Sequence, residues 1–255
     1  MLPLRIIEET PDWLVVDKPA HIRVHPSKPS DERTLWHALR ETLAFELANG
    51  GQVSLIHRLD RETSGLMLIA KNAPAARKFS VLMERRVFQK RYFALVWGWP
   101  RDNEFEIDAP LLRQGDVMES RIYLKQTTHP TGVAARTTFR VLQRFTMETS
   151  NGAKFSLVEA TLHTGRMHQI RVHLAHAGHA VVGDKIYGPD EGCYLEFIET
   201  GWTDALASRL LLPRHALHAG FLAVPDEHLA WESPLAEDLQ KWMSNSQNVS
   251  GNYFT

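Results

Sequence analysis

The stretch His57-Arg58-Leu59-Asp60-Arg61-Glu62-Thr63-Ser64-Gly65 leads directly into the short apolar run 66–70. An apolar run of this length after a glycine is typical of a buried strand. We therefore expect Asp60 at the edge of the core, where a carboxylate must be hydrogen-bonded or paired to stay ionised. Arg58 and Arg61 make the segment electropositive and suit it to an anionic substrate. A surface loop whose charges cap the next strand is the alternative interpretation.

A second polar segment, His163-Thr164-Gly165-Arg166-Met167-His168-Gln169-Ile170-Arg171-Val172-His173, is followed by Gly178. The pattern predicts a helix from about Met167 to Ala177 that ends at this glycine. His168 and Arg171 would share one face of the helix. An arginine on a packed helix can hold a carboxylate at two points and keep it ionised. A helix N-terminus with ordinary surface charges is the alternative.

The remaining pattern predicts an α+β fold with a mostly antiparallel central sheet flanked by helices and loops. Further helices are predicted at 35–47 after the possible caps Ser30 and Asp31, at 76–83 after the cap Asn72, and at 235–243. Strands are predicted at 14–18, 66–70, 92–97, 121–125, 136–142, 155–162 and 217–223. We predict one domain, 1–245, and a polar C-terminal tail, 246–255.

The composition indicates a globular protein, because 44% of the 255 residues are hydrophobic and 23% are charged. The single cysteine, Cys193, cannot form an intrachain disulfide, which favours a reducing compartment. The chain shows no secretory signal, and its apolar runs are shorter than the roughly 20 residues that a membrane span needs. We expect a soluble, cytoplasmic protein that does not bind membranes.

The charge is unevenly distributed, although the formal net charge is only −1. Residues 71–91 contain seven lysines and arginines and one acid, Glu84. Such a run indicates either a basic face that binds a polyanion or a solvated helix face.

Four histidines in the second segment and just after it raise the alternative of a metal-dependent hydrolase. His168, His173, His176 and His179 fall within twelve positions, and Asp184 follows. A zinc site would need two histidines one turn apart and a third ligand. His173 and His176 have that spacing, but the chain contains no His-Glu-x-x-His pattern. We therefore predict no metal site.

Taken together, the two polar segments resemble the signatures of the RluA family of pseudouridine synthases. Other stretches look like the same family in the same order, namely Val16-Asp17-Lys18-Pro19, Lys90-Arg91-Tyr92, Gly183-Asp184-Lys185-Ile186-Tyr187-Gly188 and Arg214-His215-Ala216-Leu217-His218-Ala219. The resemblance covers nearly the whole chain and implies the pseudouridine synthase catalytic fold. We expect no RNA-binding S4 domain before it, because the matching motifs begin near Trp13.

The resemblance also implies an activity: isomerisation of uridine to pseudouridine in tRNA and/or rRNA, without a cofactor. The family's catalytic aspartate falls on Asp60, its active-site tyrosine on Tyr92, and the arginine that pairs with the aspartate on Arg171. Arg58 matches the arginine that enters the RNA in place of the flipped base. We predict that further basic residues bind RNA, namely Arg85, Arg86, Lys90, Arg91 and Arg166.

The partner implied is therefore RNA, and we expect a monomer. A catalytically inactive RNA-binding protein of the same fold is the other alternative, since a fold does not by itself prove catalysis.

Overall fold

The computed structural model describes residues 4–26, 33–147 and 154–250, the last four of these as backbone only. None of the helices in these ranges is long and apolar enough to span a membrane. The contacts divide the chain into two compact units. Unit 1 comprises Met1–Lys90 and His218–Ala236, and unit 2 comprises Arg91–Leu217 and Glu237–Thr255.

The described residues form both strands and helices. The strands are β1 (Arg5–Glu9), β2 (Trp13–Lys18), β3 (Ser54–Leu55), β4 (Ser64–Ala70), β5 (Gln89–Trp97), β6 (Glu104–Asp108), β7 (Leu111–Arg113), β8 (Gln126–Thr128), β9 (Arg136–Thr146), β10 (Lys154–Leu162), β11 (Leu217–Val224), β12 (Leu229–Glu232) and β13 (Gln247–Ser250). The helices are α1 (Leu35–Thr42), α2 (Ala44–Ala48), α3 (Ala73–Glu84), α4 (Gln169–His176), α5 (Gly192–Thr200), α6 (Asp204–Leu210) and α7 (Glu237–Ser244).

Unit 1 is built on strands in the order β1-β2-β4-β11, with β3 beside β4 and β12 beside β11. All seven residues of β4 are buried, as expected for a strand with apolar neighbours on both faces. Asn72 caps the start of helix α3, and its side-chain oxygen accepts a hydrogen bond from the Ala75 N–H at 2.9 Å. Its apolar face, including Phe79 and Leu82, packs into the core around β4.

Gly65 allows β4 and β11 to approach closely in a parallel pairing, where it lies opposite Ala219. Its φ is +117°, and a Cβ at this position would lie 2.3 Å from the Ala219 carbonyl oxygen. Only glycine fits both the conformation and the space. The strand that follows the Asp60 segment is thereby fixed next to β11.

Unit 2 contains the order β5-β10-β9, with β6 and β13 also paired to β9 and a separate β7–β8 ladder. Strands β5 and β10 run antiparallel with Tyr92 opposite Ala160. Helix α4 contributes Val172 to an apolar cluster that also contains Ile122 and Ile186. A smaller cluster lies between α5 and α6 around the buried Cys193.

The α+β class with a mostly antiparallel sheet is confirmed, and so are six of the seven predicted strands. The strand predicted at 121–125 is wrong. Within it only Ile122 is buried, and the Lys125 N–H donates back to the Ile122 carbonyl at 3.1 Å, which makes a turn. The apolar residues of this segment favour a strand. Among the described residues, however, no neighbouring strand pairs with it.

Three further expectations change in detail. The helix predicted at 35–47 is interrupted at Leu43, which separates α1 from α2. The proposed caps Ser30 and Asp31 lie outside the described residues, and α1 begins instead after Thr34, whose N–H donates to His37 Nδ1. Within the predicted tail, 246–255, Gln247–Ser250 forms β13.

Candidate active site

Asp60 lies half-buried in a loop that enters β4 in unit 1. The preceding Leu59 is buried, and the Thr63 N–H donates to the Asp60 carbonyl at 3.2 Å, which closes a tight turn. Arg58 is exposed. A buried leucine, a turn and an all-buried strand thus hold the carboxylate at the edge of the core. Its catalytic role stays a prediction.

Lys18 connects the Asp60 loop to the segment that follows β2 through hydrogen bonds. The sequence did not predict this role. Its side chain is fully buried, and Nζ donates to the carbonyls of Pro19 at 2.8 Å, Ile22 at 3.1 Å and Arg61 at 3.2 Å. Three acceptors satisfy a buried ammonium group, which would otherwise be costly. The only sequence signal is a lysine that ends a buried strand directly before a proline.

His57 and Lys90 are two partly buried basic residues of unit 1. Burial and, to a smaller extent, the positive charge of Lys90 lower the pKa of His57 to about 3. His57 Nε2 accepts the Leu68 N–H at 3.3 Å, so the ring is held neutral against β4. Burial also lowers the pKa of Lys90 to about 8. Lys90 is half-buried against Met83, whereas a lysine that binds phosphate is usually exposed.

Arg171 lies on α4 in unit 2 and makes a two-point ion pair with Asp184. The distances are 2.6 Å from Nε to Oδ2 and 2.9 Å from Nη2 to Oδ1. Asp184 Oδ1 also accepts the N–H groups of Ile186 and Tyr187 at 3.0 and 3.1 Å. Burial alone would raise the pKa of Asp184, but Arg171 and these N–H groups outweigh it and lower the pKa. The pairing of Arg171 with Asp60, which belongs to unit 1, stays a prediction.

His168 precedes α4 in a left-handed conformation, with φ 58°, so the helix begins at Gln169 rather than at Met167. Its Nδ1 lies 2.8 Å from the Tyr187 hydroxyl, which also accepts the Gln126 N–H at 2.8 Å. A non-glycine residue in this conformation is uncommon and is often found at functional sites. The αL geometry, which the sequence did not predict, orients the imidazole toward Tyr187.

A second buried arginine, Arg214, makes another two-point pair in unit 2. Its Nε and Nη2 atoms lie 2.7 and 2.8 Å from the two carboxylate oxygens of Asp238. The neighbouring His215 is buried as well. Burial and the charges of Arg171 and Arg214 lower the pKa of His215 well below its usual value, so its imidazole is neutral at pH 7. Arg214 and His215 belong to the motif 214–219, but the sequence predicts no role for them.

Tyr92 is buried on β5, and its neighbour Arg91 is held by an ion pair. Arg91 Nη1 lies 3.2 Å from Glu159 Oε2, and Arg140 binds the other oxygen of the same carboxylate at 3.0 Å. Part of the positive charge of Arg91 is therefore compensated within unit 2. The roles predicted for Tyr92 and Arg91 stay predictions.

The other predicted RNA-binding arginines differ in their surroundings. Arg85 and Arg86 are exposed at the end of α3, and Arg86 has a φ of 59°. Arg166 is half-buried, and its Nε donates to the Ala134 carbonyl at 3.1 Å. Arg85 and Arg86 are thus the better placed for contacts with phosphate in solvent.

Both histidines of α4 have hydrogen-bond partners within the protein. His173 Nδ1 lies 3.0 Å from Thr137 Oγ1, and Nε2 lies 3.0 Å from the Ala109 carbonyl. His176 Nδ1 lies 3.2 Å from Thr128 Oγ1. Within residues 4–26, 33–147 and 154–250, no three His, Cys, Asp or Glu side chains are grouped as a metal site would require.

Known proteins resemble this chain over most of its length. A family model described as RNA pseudouridylate synthase matches residues 12–176. The ribosomal large subunit pseudouridine synthase D of Nitrosomonas europaea is 34% identical over an alignment 255 residues long, which covers 97% of this chain and 67% of the relative. The enzyme of the same name from Pseudomonas aeruginosa is 36% identical over 242 residues, covering 93% of this chain and 70% of the relative.

A solved structure supports the same assignment. Human RNA pseudouridylate synthase domain containing 1 superposes with a TM-score of 0.72 at 25% identity, over 96% of this chain and 89% of the human one. Together these matches define the class of protein as an RNA pseudouridine synthase, an isomerase that acts on RNA. Within that class the chain belongs to the RluA family.

Proposed function

We propose that this enzyme isomerises specific uridines in ribosomal or transfer RNA, with Asp60 as the essential carboxylate and without a cofactor. The observation that carries this proposal is the placement of Asp60. It is half-buried between the buried Leu59 and the all-buried β4, in a loop that Lys18 fastens through the Arg61 carbonyl. The large-subunit ribosomal RNA is the first substrate to test, because the relatives' names refer to it.

The chemistry requires only groups that the protein itself contains. The bond from ribose C1′ to uracil N1 breaks, the uracil turns, and a bond from C1′ to C5 forms. The proton lost from C5 is balanced by one gained at N1, so the reaction involves neither oxidation nor hydrolysis. We propose that Asp60 acts on the ribose, as nucleophile or as base, and must be ionised to do so.

A rigid loop around Asp60 favours this role. A reacting group accelerates a reaction most when its geometry is fixed before the substrate binds. The ammonium group of Lys18 joins the carbonyls of Pro19 and Ile22 to that of Arg61, the residue after Asp60. Arg61 in turn donates from Nε to the His21 carbonyl at 3.3 Å. These hydrogen bonds therefore restrain the loop at Arg61, directly after Asp60.

We propose further that the target uridine leaves the RNA stack before it reacts. Extrusion of a nucleotide costs a few kcal/mol, which contacts with the surrounding RNA offset. Arg58 is exposed two residues before Asp60, and we propose that its guanidinium fills the vacated space. Tyr92 would stack on the extruded uracil and assist in removing the C5 proton.

The test is the Asp60→Asn variant, assayed on unmodified transcripts of large-subunit ribosomal RNA and of transfer RNA. We expect no pseudouridine, whereas RNA affinity should stay within about tenfold of wild type because phosphate contacts supply most of the binding. Glu62→Gln is the matched control, since it neutralises a carboxylate two residues away. Turnover by purified Asp60→Asn would overturn the role of Asp60. Loss of wild-type activity on exhaustive chelation, restored by added zinc, would overturn the cofactor-free reaction.

A further inference from the structure

A short segment of unit 1, His21–His25, presents basic side chains beside the Asp60 loop. His21, Arg23 and His25 are exposed, whereas Ile22 and Val24 between them are buried. The two apolar side chains thus belong to the core, and the other three are exposed to solvent. The segment contains no acidic residue.

Hydrogen bonds fasten this segment to the loop that carries Asp60. Lys18 Nζ donates to both the Ile22 and the Arg61 carbonyls, at 3.1 and 3.2 Å. Arg61 Nε donates to the His21 carbonyl at 3.3 Å. The segment is therefore connected directly to the loop that carries Asp60.

The start of α1 is fastened to the same segment. The Leu35 N–H donates to the Arg23 carbonyl at 2.9 Å, and the Trp36 N–H donates to the Val24 carbonyl at 3.0 Å. These two bonds bring the indole ring of Trp36 alongside the exposed groups.

The Trp36 ring contacts His25 and one further exposed basic residue, Arg40. The His25 ring centroid lies 5.4 Å from that of Trp36. The guanidinium carbon of the exposed Arg40 lies 4.7 Å from the Trp36 ring centroid. A cation over an aromatic face is held there by the charge distribution of the ring. Arg40 is thus held in a defined orientation although it is exposed.

We propose that Arg23 and Arg40, flanked by the polar side chains of His21 and His25, form a cationic strip that binds the RNA backbone and unpaired bases flanking the target uridine. The proposal rests on the enzyme acting on RNA. Guanidinium groups bind phosphate at two points and stack on splayed-out bases, and this suits the planar, preorganised Arg40. Trp36 is a positioning residue that acts through Arg40 and His25. The strip is separate in sequence from residues 71–91, where phosphate contacts are predicted.

The experiment measures binding of a short oligouridylate and of an unmodified large-subunit ribosomal RNA transcript at several salt concentrations. Each phosphate contact contributes about 0.7–0.9 to the slope of log affinity against log salt. For the double variant Arg23→Ala/Arg40→Ala we expect a slope flatter by about one to two units and an affinity lower on the order of tenfold. The matched control is Arg101→Ala/Lys241→Ala, which removes two exposed positive charges elsewhere.

A second variant, Trp36→Leu, separates orientation from charge. It keeps every positive charge, so we expect weaker binding with a salt slope that flattens less than in the double variant, measured below the melting temperature of each variant. Trp36→Phe, which keeps an aromatic face, should recover most of the affinity. If the double variant binds like its control, the cationic strip is wrong even when the wild type makes pseudouridine. If Trp36→Leu binds like wild type, its positioning role is wrong. A wild type that binds RNA but modifies none would overturn only the proposed function.

Discussion

The Arg171 guanidinium and the Asp184 carboxylate form a two-point ion pair whose side chains are 5% and 0% exposed. Asp184 also accepts two backbone N–H groups, from Ile186 and Tyr187. The pair therefore fastens α4 to the turn that follows residue 183. Arg171, which belongs to the second polar segment, is thus paired within unit 2 with a residue thirteen positions further along the chain.

We expect Arg171→Ala to destabilise the protein strongly, because it leaves the Asp184 carboxylate buried without its counter-charge. Breaking a buried pair in this way costs about 3–5 kcal/mol. Asp184→Asn should cost a similar amount. Replacing both residues, as in Arg171→Met/Asp184→Asn, should recover part of the loss, because the amide oxygen still accepts the N–H groups of Ile186 and Tyr187. Urea unfolding of the four proteins measures this, and an Arg171→Ala protein as stable as wild type would contradict it.

The half-buried Lys90 gives a prediction about pH. The unfolded chain keeps this proton up to about pH 10.5, and the folded protein only up to about pH 8. Below pH 8 the folded state therefore carries a penalty, which fades as the pH rises from 8 to 10.5. Lys90→Met should raise the free energy of unfolding at pH 7 by about 1–2 kcal/mol, after allowance for partial exposure.

The gain from Lys90→Met should shrink steadily between pH 8 and pH 10, which denaturant unfolding across this range would reveal. Lys241→Met, at an exposed position on α7, is the control and should show no such trend. A gain that is absent at pH 7, or that increases with pH, would mean that Lys90 is solvated in the folded protein.

Tyr92→Phe should keep RNA affinity and reduce product formation, because the ring remains and only the hydroxyl is lost. General acid–base groups typically contribute about 10²–10⁴-fold to a rate, so we expect a single-turnover rate lower by about 10²-fold or more. The control, Tyr123→Phe, makes the same chemical change at a residue that is 74% exposed. It should leave both RNA affinity and the single-turnover rate unchanged. A wild-type rate for Tyr92→Phe would leave the phenol without a catalytic role.

The features that sequence predicted well are local ones. The buried β4, the Asn72 cap of α3 and the glycine after α4 each depend on residues within a few positions. The family was recognisable because its short motifs occur in order along the chain. The strand at 121–125 failed because β-propensity says nothing about whether a neighbouring strand exists to pair with it.

The features that sequence missed depend on distant contacts. Lys18 and the Arg61 carbonyl are separated by 43 positions, and Arg214 and Asp238 by 24. No periodicity connects such residues, so their pairing could not be read from spacing. The left-handed conformation of His168 was missed for a related reason, since contacts with Tyr187 hold it.

The exposed end of α3 gives the last prediction. Arg85 and Arg86 face solvent after the helix ends, so replacing both with alanine should leave the melting temperature nearly unchanged. If they bind phosphate, RNA affinity should fall and its salt dependence should flatten by up to about two units of slope. The Arg101→Ala/Lys241→Ala protein is again the control, because it loses the same charge at other exposed positions. RNA affinity at several salt concentrations, beside thermal melts, separates a phosphate contact from a general change in net charge. A slope equal to that of the control would place the RNA path elsewhere on the protein.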